Sequence, residues 1–156
     1  MKKYILEKFH IIILVLIVLL FLFGFIHENL WIKQMLKRPK YTIGEATTDW
    51  HQKNDNGVGT DYKYQVKDKI YFGTTNCSYK KGNRFLVIFD SVKPKNVKVL
   101  GIYFIENHFT NLKVPIKGWK YQDVPFDIDS NTIKKYVNDW NAEPYEYEKE
   151  ISPSLQ

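Results

Sequence analysis

A single cysteine among 156 residues removes two routes to stability at once. Cys77 cannot pair within the chain, and no further cysteine stands at zinc-ligand spacing from it. Packing alone must hold the fold. The lone thiol also leaves the redox compartment open. Phosphate-loop chemistry is missing too, because "GVG" and "GNR" do not extend to a Gly-x-x-x-x-Gly-Lys-Ser/Thr string. Near the N-terminus, "GFIHENLW" offers no small-x-small cleavage site, and no cysteine follows the apolar run to form a lipobox.

What is present begins with that run. Ile11 to Ile26, "IIILVLIVLLFLFGFI", carries no charge over sixteen residues and is bounded by His10 and His27. No surface helix of a soluble protein is apolar all round. Sixteen residues span about 24 Å of helix, short of a ~30 Å hydrocarbon core, so the flanks are needed. Tyr4 to Phe9 and Leu30, Trp31 and Ile32 supply them, with Trp31 at headgroup level and Lys8 and Lys33 reaching outward. The expectation is an uncleaved single-pass signal anchor whose residues 11–26 meet the lipid bilayer. A cleaved secretory signal and a buried core helix are the rival readings. Lysine counts on the two sides are nearly tied, with Lys2, Lys3 and Lys8 before the run and Lys33, Lys37, Arg38 and Lys40 after it. A short N-terminal tail with a lysine abutting the span favours the cytoplasm. That places the C-terminal domain on the extracytoplasmic side of the inner membrane.

The formal charge of +6 suggests nucleic acid until it is divided. Residues 1–40 hold seven Lys/Arg against two Glu, whereas residues 41–156 hold sixteen against fifteen acids. Phosphate-backbone binding needs a sustained basic face, because its affinity comes from counterion release. Within the second part, residues 41–122 hold thirteen against seven and residues 123–156 three against eight. A basic region followed by an acidic tail reads as an internal electrostatic match.

The abundance of aromatics, 16% of the chain, favours pleated, half-buried surfaces. The fold class expected is mainly β: a small antiparallel barrel or sheet of SH3-like or OB-like size behind the transmembrane helix, with a short C-terminal helix. Residues 1–32 are the anchor with its flanks, 33–40 a polar connector, 41–142 the β domain with its helix, and 143–156 an acidic flexible tail. "YTIGEATT" (41–48) is the first strand, and "DWHQKNDNGVGTD" (49–61) reads as a loop. In "YKYQVKDKIYFG" (62–73), Tyr62, Tyr64 and Val66 alternate with Lys63, Gln65 and Lys67, giving one dry and one wet face. A turn at Lys67–Asp68 leads to a second strand in which Ile70 and Phe72 lie on one face and Lys69, Tyr71 and Gly73 on the other, so that only Tyr71 shares a face with a lysine. Single-strand readers instead set rings and basic groups on a common open face. "RFLVIFD" (84–90), apolar on both faces, is a central strand, and "VKVLGIYFI" (97–105) is the next. Trp119 and Phe126 pack back onto the sheet. Ser130 caps a helix from Asn131 to Trp140 whose Ile133, Tyr136, Val137 and Trp140 form one face.

The order "YKYQVKDKIYFG" then "KKGNRFLVIFDSVKPKNVKVL" resembles small bacterial membrane proteins of the domain-of-unknown-function 3592 type, particularly single-pass versions from Bacteroidota. Matching positions are Tyr62, Tyr64, Val66, Tyr71, Gly73, Gly82, Val87, Phe89, Asp90, Pro94 and Asn96. The resemblance covers about residues 41–101. It departs at the hairpin turn, where Lys67-Asp68 replaces Asn-Gly or Asp-Gly, and after Asp90, where Ser91 and Val92 replace the usual proline. It implies a membrane-bound β domain and brings no catalytic residues.

No site residue, metal or cofactor is assigned from the sequence. Nucleophilic catalysis would need Cys77 with His51 or His108 as base. Metal binding would need Asp49, His51 and Asp55, which lie in a loop whose composition is that of an ordinary surface loop. The expectation is a non-enzymatic module that contacts an unknown envelope protein and no nucleic acid. The alternative is an immunity or accessory protein that blocks a membrane-active toxin or secretion component.

Overall fold

The computed structural model describes residues 8–53, 57–105 and 112–139, and for residues 25–29, 53 and 57 the backbone alone. Helix α1 (Phe9–Lys37) is 29 residues long, about 44 Å at 1.5 Å per residue. Proline is absent until Pro39, so nothing interrupts its hydrogen-bond ladder. Pro39 then forces Arg38 out of helical geometry, and the Arg38 N–H closes the last turn on the Met35 carbonyl at 3.1 Å. Residues 33–37, expected as connector, therefore continue the helix, and Arg38 alone separates it from the sheet. The reason is packing: Trp31, Ile32, Met35 and Leu36 form a stripe against the β domain, with Met35 fully buried. Among the described residues, no helix is long and apolar enough to cross a membrane. The side chains of residues 25–29, in the middle of α1, lie outside the description.

Six strands follow among the described residues: β1 (Pro39–Ala46), β2 (His51–Lys53), β3 (Gly57–Val66), β4 (Lys69–Thr75), β5 (Arg84–Asp90) and β6 (Val97–Ile105). They form one antiparallel sheet in which β2 and β4 both pair with β3, followed by β1, β5 and β6. The molecule is thus mainly antiparallel β with few helices, as its aromatic and β-branched content requires. Much of residues 49–61, expected as loop, is strand. Gly59 makes this possible, because a Cβ there would stand 2.8 Å from the Thr75 carbonyl oxygen of β4. Asp55 lies outside the described residues.

The sheet has two packed faces. On the tyrosine face, Tyr62, Tyr64 and Val66 meet Phe85, Val87 and Phe89, closed over by Cys77 and Tyr79. On the helix face, Tyr41, Leu86, Ile88 and Leu100 meet Met35, Trp119 and the last helix, α2 (Ser130–Asn138). Strand β5 supplies both faces, and Phe85 to Phe89 are all fully buried. Each such side chain contributes about 1.5–3 kcal/mol relative to exposure. A bulge in β6 shifts its register, so that Phe85 faces Phe104 while Leu86 faces Leu100.

Helix α2 is capped by Asp129 and not by Ser130. The Asp129 carboxylate accepts the Thr132 N–H at 2.6 Å, and the helix ends at Asn138. Aspartate serves better here because its charge also meets the positive end of the helix dipole. Ile133, Tyr136 and Val137 are buried as their spacing requires, while Trp140 lies outside the described residues. Trp119 docks through a two-way backbone bridge to Tyr41, and its ring meets Phe126 edge-on at 6.4 Å.

Candidate interaction groove

The β3–β4 hairpin positions the surface of interest. Lys67 and Asp68 both adopt positive φ, 51° and 58°, so the turn has two residues and Val66 pairs with Lys69. Counting outward, Tyr64 opposes Tyr71 and Tyr62 opposes Gly73, whereas Gln65 opposes Ile70 and Lys63 opposes Phe72. Opposed residues share a face. Tyr71 therefore joins the buried tyrosines, its ring stacked on Tyr64 at 5.3 Å between centroids. Ile70 and Phe72 join Lys63 on the open face, 53% and 74% exposed. That corrects the expectation that only Tyr71 among the rings shares a face with a lysine.

The helices cover this face over β1, β5 and β6 and leave the β3–β4 side open. A groove of about 460 Å³ results. Ile43, Lys63, Gln65 and Ile70 form its floor, and Val114, Pro115 and Ile116 its wall. The wall is fastened by the Lys67 N–H, which donates to the Ile116 carbonyl at 2.7 Å. Ile116 itself is 64% exposed. Glu45 and Lys63 pair at 3.2 Å on the floor. Both are half exposed, so the pair contributes under about 1 kcal/mol and serves mainly to order the surface. Arg84 and Asp68 also line it. Aliphatic, amide and paired charged groups in one concavity suit recognition of a polypeptide, which presents the same mixture.

The groups considered for chemistry lie elsewhere. Cys77 is buried on the tyrosine face, with its Sγ 3.9 Å from the Tyr136 hydroxyl and its carbonyl accepting from the Thr60 hydroxyl at 3.0 Å. His51 sits on β2, its Nδ1 2.8 Å from the Asp49 carbonyl. The Asp49 carboxylate accepts the Lys81 N–H at 2.8 Å. His108 lies outside the described residues. Among the described residues, no three His, Cys, Asp or Glu side chains converge on one point.

Tyrosines dominate the remaining electrostatics. Burial pushes the Tyr41 hydroxyl up to about 12, assisted by the nearby Tyr121 and Tyr103. Burial pushes Tyr62 and Tyr64 higher still. All three remain neutral at physiological pH, and Tyr64 uses its proton to donate to the Pro94 carbonyl at 2.9 Å.

Sequence reasoning found the hairpin and missed the groove. Its floor was legible from the turn length, because a two-residue turn fixes which side chains share a face. Its wall was not, since nothing in "NLKVPIKG" marks a contact with a strand some 50 residues earlier. No family model, no curated protein and no solved structure matches the chain.

Proposed function

We propose that the chain is a membrane-anchored, non-enzymatic β module that acts through protein contacts at the membrane surface. In this reading α1 holds it in the inner membrane, with the β domain, of SH3-like or OB-like size, on the extracytoplasmic side. No cofactor, metal or nucleic acid is assigned to it. The observation that carries the reading is the exposure of α1. Leu14, Val15, Leu16 and Ile17 cover a full helical turn and are 62%, 51%, 55% and 44% exposed. Phe21 reaches 76%. Water tolerates such a surface poorly, and lipid favours it. The short apolar span is completed by the flanking residues read from the sequence.

The partner surface in this reading is the groove with Ile70, Phe72 and Ile116 at its edge. Exposed apolar side chains around a charged floor support an interface with a protein partner. A photo-crosslinking residue at position 72 of the full chain, in native membranes, should give a discrete adduct that the same residue at position 81 does not. Equal adduct patterns from the two positions would overturn the groove as the contact site.

A further inference from the structure

Strand β4 forms one edge of the sheet. Residues 62–64 of β3 pair with β1 and with β4 at once, so those two lie on opposite sides of β3, and among the described residues no strand pairs with the far side of β4. Strand β6, at the other edge, has α2 packed against it, with Lys98 Nζ donating to the carbonyls of Tyr136, Val137 and Asp139 at 3.3, 3.0 and 3.2 Å. Across the two-residue turn the closing pair, Val66 and Lys69, exchanges both backbone bonds, and the pattern alternates from there. Lys69, Tyr71 and Gly73 thus turn their N–H and C=O groups inward to β3, whereas Ile70 and Phe72 turn theirs outward. Among the described residues, neither makes a hydrogen bond through those outward groups.

Edges of this kind are ordinarily blunted by proline, a bulge or a charge along the strand. Strand β4 has no proline, its register against β3 is continuous, and its one charge, Lys69, stands at its end. The strand also matches itself when reversed. A second β4 turned antiparallel about Tyr71 sets Ile70 opposite Phe72 in both directions, Tyr71 opposite Tyr71, and Lys69 opposite Gly73. Each Ile70 and Phe72 pair then exchanges two backbone hydrogen bonds, and their exposed side chains cover one another. The two Lys69 residues stay about 14 Å apart along the strands, beyond the ~8 Å screening length, so no like charges oppose the pairing. Opposed residues share a face. The helix faces of both copies, with their α1 helices, therefore lie on one side of the joined sheet, as two copies anchored in one membrane require.

We infer that a second copy of this chain adds to the edge of β4, antiparallel about Tyr71, so that two sheets become one. The two grooves then share a floor. The inference rests on the edge itself and stands whether or not α1 lies in lipid.

The test is disulfide trapping of the full chain in nonionic detergent. In a Tyr71→Cys variant the two introduced thiols stand on the two-fold axis, in a pair whose Cα atoms are about 4.5 Å apart, within disulfide reach. Mild copper–phenanthroline oxidation should give a dimer linked at position 71, as mapped by mass spectrometry. Lys69→Cys and Lys81→Cys should each link several-fold less, which separates edge pairing from random contact or association through α1. The unaltered chain, whose Cys77 is buried, controls for the native thiol. Adding Ile70→Lys and Phe72→Lys to Tyr71→Cys sets lysine opposite lysine at both pairs and should lower the linked yield several-fold. Because Tyr71 also stacks on Tyr64, sedimentation of the unaltered chain gives a second reading, and a dimeric mass is expected. Equal linking at positions 71, 69 and 81, an unchanged yield in the lysine variant, or a monomeric mass for the unaltered chain would overturn the inference. A photo-adduct from position 72 of twice the chain mass reports this pairing, and one of another mass the groove partner, so the two readings fail separately.

Discussion

Asp90 is the buried charge at the junction of helix and sheet. Its carboxylate is fully buried and accepts from Arg38 Nη2 at 2.7 Å and from the Val92 N–H at 2.9 Å. Burial alone would push its pKa up. The Val92 amide and the Arg38 guanidinium outweigh burial and hold it below the usual carboxylate value. A carboxylate depressed in this way stabilises the fold fully above about pH 4, its unfolded value, and loses that contribution as pH falls through the lower folded value. Asp90→Asn should cost about 1–3 kcal/mol at pH 7, since it weakens a charged hydrogen bond to a partly exposed arginine. It should also flatten stability against pH below about 4, as read from denaturant midpoints across that range. Gly73 is a second single-residue constraint. A Cβ there would stand 2.7 Å from the Tyr62 hydroxyl oxygen and 2.8 Å from the adjoining ring carbon. Gly73→Ala should lower stability by about 1–3 kcal/mol in the same assay, because the ring has to leave the Phe85 contact at 5.6 Å.

The β3–β4 hairpin shows how a local rule and its violation coexist. Two consecutive residues with positive φ are normally Asn-Gly, and here they are Lys67-Asp68. Left-handed geometry costs a residue with a Cβ about 1 kcal/mol or more. Replacing the pair by Asn-Gly should raise stability by about 1 kcal/mol, seen as a melting temperature several degrees higher. A fall would mean that the Lys67 side chain stabilises the turn. The same hairpin marks what the residues disclosed beforehand. Alternation in "YKYQV" gave the faces of β3, and unbroken apolarity in "FLVIF" gave the central place of β5, because period and burial are properties of consecutive residues. Strand β2 and the start of β3 were hidden among Asn, Asp and Gly, whose strand geometry depends on a close approach to Thr75. The groove wall was hidden for a similar reason, since its fastening, Lys67 to Ile116, is a contact distant in sequence. Phe72→Ser leaves both cores intact, so it should change stability by under about 0.5 kcal/mol while abolishing the adduct formed from a photo-crosslinking residue placed at position 116, in the groove wall.

At the scale of the whole molecule, the junction between α1 and the sheet is short and tied from both sides. Arg38 is the only residue between them, Met35 is buried in the domain, and the Ser91 N–H donates to the Arg38 carbonyl at 3.1 Å. The domain therefore turns with the end of its helix and does not swing on a tether. In the reading proposed, that coupling sets which face of the sheet meets a partner at the membrane. Everything in that reading depends on the apolar stretch of α1 lying in lipid. Alkaline carbonate extraction of membranes carrying the full chain, beside a variant with Ile17→Lys and Leu20→Lys, tests this most directly. Two lysines near the centre of the span should cost about 5–7 kcal/mol of insertion. The unaltered chain should remain in the membrane pellet and the variant should move to the supernatant. Release of the unaltered chain into the supernatant would contradict the account.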